Sequence, residues 1–101
     1  MAGFVQIIQW KTSKIDEVQK LNEEYRAGRA GSSGGPSRVQ VLADKDNAGT
    51  YYTVAEFSSA EAAAANSARS DTSEFAAKMA QLCDGPPTFH NSEVMFDEVM
   101  S

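Results

Sequence analysis

The segment GFVQIIQW (residues 3–10) constrains the fold more than any other part of the chain. It is rich in aromatic and β-branched residues, a composition that favours a β-strand. Successive side chains of a strand point to opposite faces of its sheet. Phe4, Ile8 and Trp10 fall on one face, and Val5 and Ile7 fall on the other. Because both faces are apolar, a sheet that contains this strand must be covered on both sides.

A helix is predicted after this strand, over TSKIDEVQKLNEEYRAG (residues 12–28). Ser13 and Asp16 have the spacing of an N-terminal capping box, and Gly28 is a stop signal. The apolar residues of this segment recur every three or four positions, the period of a helix. They are Ile15, Val18, Leu21 and Tyr25.

Residues 27–37 (AGRAGSSGGPS) lack periodicity and are rich in Gly and Ser, so we predict a flexible loop. It is either an ordinary connection or a lid over a pocket.

Two further strands are predicted over residues 38–44 and 50–57, joined by the tight turn KDNAG. Asp, Asn and Gly favour the backbone geometry of such turns. The second of these strands reads TYYTVAEF, and its alternation separates two neighbouring tyrosines. Tyr51 shares a face with Thr53, Ala55 and Phe57, whereas Tyr52 shares the opposite face with Val54 and Glu56.

The C-terminal half is predicted to contain a second helix and a last strand. The helix begins in SSAEAAAANSARS, where Ser58 and Glu61 have the spacing of a capping box. The segment RSDTS interrupts this helix, because Ser, Asp and Thr compete for backbone hydrogen bonds. The helix restarts in SEFAAKMAQLC (residues 73–83) and ends at DGPP, since proline cannot continue it. TFHNSEVMFDEV (residues 88–99) alternates as the last strand.

The predicted element order is β-α-β-β-α-β in one domain of residues 1–101. This order is typical of a ferredoxin-like α+β sandwich, in which two helices cover one face of an antiparallel sheet. The other face would meet solvent, yet the first strand is apolar on both sides and the hairpin is nearly so. The simplest cover is the sheet of a second copy, related by a two-fold axis. We therefore predict a homodimer.

Charge and cysteine content exclude several classes of protein. The chain has 14 acidic and 9 basic residues, and the basic residues form no stripe, so we expect no nucleic-acid partner. The lone Cys83 cannot form an internal disulfide and has no cluster of metal ligands around it, so we expect a reducing cytoplasm and no metal site. No apolar stretch approaches the roughly 18 residues needed to span a bilayer, so no membrane association is expected.

Two segments carry a resemblance to a known family. YYTVAEFSSAEAAAANS (residues 51–67) and SEFAAKMAQLCDGPPTFHNSEV (residues 73–94) resemble the antibiotic-biosynthesis-monooxygenase-like (ABM-like) proteins of actinobacteria, within the dimeric α/β-barrel superfamily. The resemblance implies two sheets joined back to back as a barrel, with a small-molecule pocket between the helices and the sheet of each subunit. Relatives include cofactor-free oxygenases of aromatic polyketides, haem-degrading enzymes, lactone isomerases and cyclases, and proteins of no known activity. The fold alone does not choose among them.

His90 is the first candidate catalytic residue, because it is the only histidine and histidine commonly exchanges protons near neutral pH. In cofactor-free oxygenation a phenol or hydroquinone loses a proton, and its anion then passes an electron to O2. His90 is the candidate base for that step. The alternative is a histidine on a strand, bonded to backbone or water. The surrounding segment LCDGPPTFHN (residues 82–91) connects the helix to the strand. Whether it also has a chemical role depends on the face of the sheet that His90 occupies.

Asn66 is the second candidate catalytic residue. An asparagine inside a helix is unfavourable unless its amide has a partner, so it either holds a ligand oxygen or caps the helix break. Trp10, Tyr51 and Tyr52 are candidate ligand-binding residues, since their rings can stack on a flat aromatic molecule. The alternative for each ring is packing in the core or at an interface, and at most one of the two tyrosines lines the pocket.

No cofactor is expected. The haem-ligating histidine of the haem-degrading relatives belongs to the second helix, whereas His90 lies on the last predicted strand. The leading hypothesis is a homodimer that binds a small aromatic or polyketide-like molecule and acts as a cofactor-free monooxygenase. Two alternatives stay open: a non-catalytic ligand-binding or accessory dimer, and an isomerase or cyclase that uses the same base without O2.

Overall fold

The structure, a computed structural model, describes residues 3–29 and 35–100. The elements within these residues are β1 (Phe4–Lys11), α1 (Ile15–Arg29), β2 (Arg38–Ala43), β3 (Thr50–Phe57), α2 (Ala60–Ser67), α3 (Ser70–Leu82) and β4 (Thr88–Glu93). The strands form one antiparallel sheet in the order β2-β3-β1-β4. This arrangement confirms the predicted ferredoxin-like α+β fold. The second predicted helix is divided into α2 and α3.

The helices cover one face of the sheet, and α2 lies closest to it. Ala55 and Phe57 of β3 form a buried cluster with Ala63 of α2. The alanines of α2 have little volume, which allows its backbone to come within 8 Å of β1 and β3 between Cα atoms. Among the described residues, α1 and α3 approach each other that closely but not the sheet. Tyr25 of α1 and Phe75 of α3 stack with their ring centroids 4.3 Å apart.

The N-termini of the helices use different side chains from those predicted. Ser59, not Ser58, is the N-cap of α2, and its Oγ accepts a 3.1 Å hydrogen bond from the N–H of Ala62. At the start of α1, the carbonyl of Lys14 accepts the first helix bonds, from the N–H groups of Glu17 and Val18, and the N–H of Lys14 donates a 3.0 Å bond to Thr12 Oγ1. The break between α2 and α3 is confirmed, but it lies at Ala68 and Arg69, slightly before most of RSDTS.

The loop predicted over residues 27–37 begins later than expected. Helix α1 continues through Gly28 to Arg29. Gly28 does not adopt a positive φ, the conformation by which glycine ends a helix, so the stop signal is not used. Residues 30–34 of the predicted loop lie outside the described residues. Gly35 and Pro36 then lead to Ser37, whose N–H donates a 2.7 Å bond to the carbonyl of Glu56 at the end of β3.

The joint between α3 and β4 is fixed to the end of β1. Gly85 has φ +93°, a left-handed conformation that turns the chain away from the end of α3, and the two prolines follow it. The N–H of Asp84 donates a 2.7 Å bond to the carbonyl of Lys11, and Thr12 Oγ1 donates to the carbonyl of Leu82. The same strand end therefore holds both the start of α1 and the end of α3.

Strand β4 is shorter than predicted. Phe4 is the first residue of β1 and pairs with Glu93, so little of β1 remains to pair with the chain beyond that point. One further backbone bond joins Val94 to Gly3 at 2.9 Å, and the chain then leaves the sheet. The large apolar side chains beyond Val94 are mostly exposed in the isolated chain. They are Met95, Phe96, Val99 and Met100.

Candidate functional site

The strand register assigns every sheet residue to one of two faces. Residues that pair directly across antiparallel strands share a face. The helix side is the face of Ala55 and Phe57, which pack against α2. The helix side consists of Phe4, Gln6, Ile8, Trp10, Val39, Val41, Ala43, Tyr51, Thr53, Ala55, Phe57, Phe89, Asn91 and Glu93. The open face consists of Val5, Ile7, Gln9, Lys11, Arg38, Gln40, Leu42, Thr50, Tyr52, Val54, Glu56, Thr88, His90 and Ser92.

Trp10, Tyr51 and Thr53 form an aromatic cluster on the helix side. The rings of Trp10 and Tyr51 stack with centroids 4.9 Å apart and an interplanar angle of 21°. Trp10 Nε1–H donates a 2.9 Å hydrogen bond to Thr53 Oγ1, which satisfies the one polar atom of the indole. Trp10 is only 4 % exposed, whereas Tyr51 is half-buried. The Tyr51 ring is therefore the more accessible of the two, and the buried Trp10 ring packs against it.

Asn66 lies on the same side of the sheet as this aromatic cluster. It follows Ala62 and Ala63 in α2 by four and three residues, a spacing that puts it on the sheet-facing side of the helix. Asn66 is half-buried, and its backbone carbonyl accepts a 3.2 Å bond from the N–H of Arg69 at the helix break. The structure therefore brings Trp10, Tyr51 and Asn66 to one side of the sheet.

His90 and Tyr52 lie on the open face instead. His90 pairs with Ile7 across the β1–β4 ladder, and its side chain is exposed. Tyr52 pairs with Gln9 of β1 and with Leu42 of β2. Since a pocket between helices and sheet would be lined by the helix side, one protomer does not bring His90 or Tyr52 into it. The five residues singled out from the sequence are divided between two surfaces.

The phenol of Tyr52 is engaged at the end of the β2–β3 hairpin. It donates a 2.6 Å hydrogen bond to Asp44 Oδ2, and the same carboxylate accepts bonds from the N–H groups of Asp46 and Asn47 and from the Asn47 amide. The bond from Tyr52 is the main cause that lowers the pKa of Asp44. The same bond, with some desolvation, raises the pKa of Tyr52. Such pKa shifts are expected for a neutral phenol that donates a hydrogen bond to a carboxylate. We therefore interpret Tyr52 and Asp44 as a structural pair.

Cys83 is not arranged as a nucleophile. Partial burial, and then the negative charge of Asp84, raise the pKa of its thiol. A raised pKa disfavours the thiolate, the reactive form of cysteine. Among the described residues no three His, Cys, Asp or Glu side chains group closely enough to hold a metal ion.

The described residues form two surface clefts, and neither is lined by the aromatic cluster. A cleft of about 180 Å³ lies between α1 and α3 and is lined by Tyr25, Phe75 and neighbouring charged residues. A larger cleft of about 460 Å³ lies at the end of the sheet, beside Phe4, Phe57 and Phe96. Trp10, Tyr51, Asn66 and His90 line neither cleft. A ligand stacked on Tyr51 would therefore lie outside both of these clefts.

Sequence reasoning missed Thr53 and the pair of Gln6 and Asn91 as members of the helix side. Thr53 accepts the indole N–H of Trp10, and Gln6 Nε2 donates a 3.1 Å bond to Asn91 Oδ1. A signal for Gln6 was present, because it is a polar residue among Phe4, Ile8 and Trp10 on one face of an otherwise apolar strand.

Comparisons of the fold with solved structures find the ABM fold. A proposed antibiotic biosynthesis monooxygenase from Caulobacter crescentus aligns with a TM-score of 0.80 and 16 % identity, over 94 % of this chain and 92 % of that one. A conserved protein from Methanosarcina mazei aligns with a TM-score of 0.78 and 11 % identity, over 91 % and 92 % of the two chains.

An enzyme of the same fold is also similar. A variant of SnoaB, a cofactor-independent oxygenase from Streptomyces nogalater, aligns with a TM-score of 0.72 and 14 % identity, over 97 % of this chain and 96 % of that one. At these identities the likeness establishes the fold. No protein-family profile and no curated protein matches the sequence. Within residues 3–29 and 35–100, the helices are too short or too polar for any of them to cross a bilayer.

Proposed function

We propose that the protein is an ABM-like homodimer that binds a small, flat aromatic molecule on the helix side of each sheet. The observation that carries this proposal is the aromatic cluster of Trp10, Tyr51 and Thr53 on the side where Asn66 also lies. Aromatic rings with a few fixed polar groups are typical of small-molecule sites. The ABM fold of this chain, shared with a cofactor-independent oxygenase, supports the same assignment.

The open face supports the proposed homodimer. Its apolar side chains are Val5 and Ile7 in β1, Val54 in β3 and Leu42 in β2, and they lie beside Gln9, Gln40 and His90. Leu42 is 44 % exposed in the isolated chain. Charged groups lie toward the periphery, where Arg38 and Glu56 form an exposed ion pair at 3.8 Å. An apolar centre with a polar rim is the usual anatomy of an interface, and a two-fold axis would cover both open faces at once.

Cofactor-free oxygenation is the reaction we propose for such a site. A phenol or hydroquinone bound against Tyr51 would lose a proton, and its anion would pass an electron to O2. Asn66 would donate a hydrogen bond to the developing oxyanion. His90 remains the predicted base, although it lies on the open face, and pairing two open faces would leave the His90 of both protomers at the interface and not beside Tyr51. A loss of turnover of tenfold or more in His90→Gln, with unchanged ligand affinity, would support that role.

Non-catalytic ligand binding is the second candidate, and one observation favours it. Among the described sheet residues, the helix side has a single carboxylate, Glu93, and no histidine. A site without a nearby base can bind an aromatic ligand but cannot readily deprotonate it. The third candidate, an isomerase or cyclase, needs the same base and is distinguished by activity that persists without O2.

Fluorescence of the only tryptophan tests the proposal directly, because Trp10 lies within the proposed site. We expect hydroquinones and anthrones to change its emission in a saturable manner in a dimeric sample. O2 consumption in the same mixtures would support the oxygenase, and saturable binding without O2 consumption would support the non-catalytic candidate. If no aromatic compound changes the emission, the proposed site is wrong.

A further inference from the structure

Residues 95–100, the C-terminal arm, carry the most exposed large apolar side chains of the described residues. The exposed fractions of these side chains lie between 79 % and 92 %, whereas the other exposed large apolar side chains lie between 44 % and 54 %. Single apolar residues are normal on a protein surface, but a contiguous apolar group marks an interaction site. We therefore expect another surface to cover the arm. The four side chains are Met95, Phe96, Val99 and Met100.

Strand β2 is the second exposed apolar feature. It lies at an edge of the sheet, and all of its residues are exposed. The N–H of Asp44 bonds to the carbonyl of Thr50, and bonding alternates along an antiparallel pair, so Val39, Val41 and Ala43 direct their backbone groups away from β3. Within residues 3–29 and 35–100, nothing else bonds to these outward groups. An apolar edge with open backbone groups is a template for a further strand.

The arm is too short to run along the β2 edge of its own sheet. Strands β4 and β2 lie at opposite edges, three strand spacings apart, which is about 14 Å. Crossing the end of the sheet at about 3.3 Å per residue would use four or five of the residues 95–100. Too few of them would remain to pair with β2. A second copy of the chain is therefore the occupant that this geometry favours.

A two-fold dimer brings the arm and the β2 edge together. Glu93 and Arg38 lie at the same end of the sheet, because Phe4 pairs with both Glu93 and Phe57, and Glu56 pairs with Arg38. If two open faces pack about an axis parallel to the strands, β4 of each protomer lies against β2 of its partner. Packed sheets are about 10 Å apart, a distance that about three residues span. The remaining residues of the arm can then pair with β2.

The charges of the arm and of β2 are complementary. Asp97 and Glu98 are the charged residues of the arm, and Arg38 is the charged residue of β2. The side chain of Arg38 is 63 % exposed, so its 3.8 Å ion pair with Glu56 leaves much of the guanidinium accessible. An acidic segment beside β2 would therefore meet a positive charge and no carboxylate within that strand.

We propose that the C-terminal arm of each protomer adds as a fifth strand to the β2 edge of its partner. Backbone hydrogen bonds to Val39 and Val41 would hold the arm, as in other cases of strand addition. Because these bonds come from the backbone, changing the side chain of Val39 on the helix side leaves them in place. This inference rests on the proposed homodimer and goes beyond the proposed ligand site.

Amide hydrogen exchange followed by NMR tests the proposal, because it reports on individual backbone N–H groups. We expect the N–H groups of Val39 and Val41 to exchange about tenfold or more slowly in the wild-type protein than in a variant that lacks residues 95–101. The N–H of Tyr52 is the control, since Tyr52 pairs within the sheet and should exchange equally in both proteins. Fast exchange of Val39 and Val41 in the wild-type protein would overturn the proposal.

Crosslinking shows which protomer supplies the arm. In a Cys83→Ser background, Val41→Cys combined with Val99→Cys should give a covalent dimer with a short bismaleimide, as seen by denaturing electrophoresis. Each single substitution is a matched control and should give only monomer. A doubly substituted protein that forms no covalent dimer would overturn the proposal. If light scattering still shows a dimer in that case, the homodimer of the proposed function stands and the arm exchange alone fails. A monomeric mass for the wild-type protein would reject both.

Discussion

Tyr51 and Tyr52 are neighbours in β3 and lie on opposite faces of the sheet. Tyr51 stacks on Trp10 on the helix side, whereas Tyr52 lies on the open face and donates its phenol hydrogen to Asp44. One residue of difference along a strand therefore separates the proposed ligand site from the proposed subunit interface. The two tyrosines can be changed independently, so each surface can be tested with the other residue as its control.

Replacing Tyr51 should weaken ligand binding. We expect Tyr51→Ala to raise the Kd for an aromatic ligand about tenfold, because the variant loses the accessible ring and its stacking contribution of about 0.5–1.5 kcal/mol together with buried apolar area. Tyr51→Phe should retain most of the affinity. Trp10 fluorescence measures both. Tyr52→Phe is the control on the other face, and a tenfold loss in that variant as well would contradict the assignment of Tyr51 to the ligand site.

A charge at the centre of the open face should prevent dimer formation. Val54 lies between Ile7 of β1 and Gln40 of β2, so Val54→Glu would place two carboxylates in a two-fold interface with no basic register partner. We expect the dimer to weaken by roughly 100-fold or more. Light scattering measures the mass in solution. Val39→Glu is the matched control, since Val39 is 47 % exposed at the β2 edge on the helix side. A dimer that survives Val54→Glu but not Val39→Glu would show that a different surface forms the interface.

The bond between Tyr52 and Asp44 should be visible in a pH titration. The Asp44 carboxylate accepts the phenol hydrogen of Tyr52 and thereby raises the pKa of Tyr52. We expect Asp44→Asn to lower the pKa of Tyr52 toward the ordinary value of about 10. Ultraviolet absorbance of the phenolate, compared between each protein and its Tyr52→Phe form, isolates this group. Asp46→Asn is the control, because Asp46 contributes only its backbone N–H to Asp44.

The same pair should make stability depend on pH in two ranges. The pKa of Asp44 is lowered in the folded protein, chiefly by the bond from Tyr52, so its contribution is present above about pH 4 and is lost as the pH falls through the lowered value. The pKa of Tyr52 is raised, so its contribution is present below about pH 10 and is lost as the pH rises through the raised value. In Asp44→Asn, urea unfolding should show a smaller decline in both ranges. An unchanged decline would show that other groups govern it.

Much of the fold is encoded locally and could be predicted. The aromatic and β-branched composition of β1 and the three-to-four-residue period of α1 predicted these two elements correctly. Element boundaries were less certain where two residues offered the same chemistry. Ser58 and Ser59 can both cap a helix, and the structure uses Ser59, whose backbone is extended, with φ −160° and ψ 166°. The end of β4 is set by the residue at which β1 begins, and the sequence of β4 carries no information about that residue.

The candidate site was harder to predict, because it depends on the register between strands. Alternation alone separated Tyr51 from Tyr52, but it did not identify the face that the helices cover. The position of His90 follows from its pairing with Ile7, and a shift of one residue would put it on the helix side. The β4 sequence does not fix this register by itself, since Phe89 and Asn91 on one face are no more uniformly apolar than His90 and Ser92 on the other.

Thr12 should contribute more to stability than its neighbour Ser13. Thr12 is only 3 % exposed, and its Oγ1 accepts from the N–H of Lys14 and donates to the carbonyl of Leu82. Thr12→Val preserves the shape of the side chain but removes the partner of two part-buried backbone groups, the N–H of Lys14 and the carbonyl of Leu82. We expect the free energy of unfolding to fall by about 1–3 kcal/mol. Urea unfolding at one fixed protein concentration measures this change, because a dimer gains stability with concentration. Ser13→Ala, at an exposed position, should change it by less than about 0.5 kcal/mol. A loss in Ser13→Ala as large as the expected loss in Thr12→Val would mean that the capping box predicted from Ser13 operates in solution. A negligible loss in Thr12→Val would mean that Thr12 does not hold α1 and α3 to the end of β1.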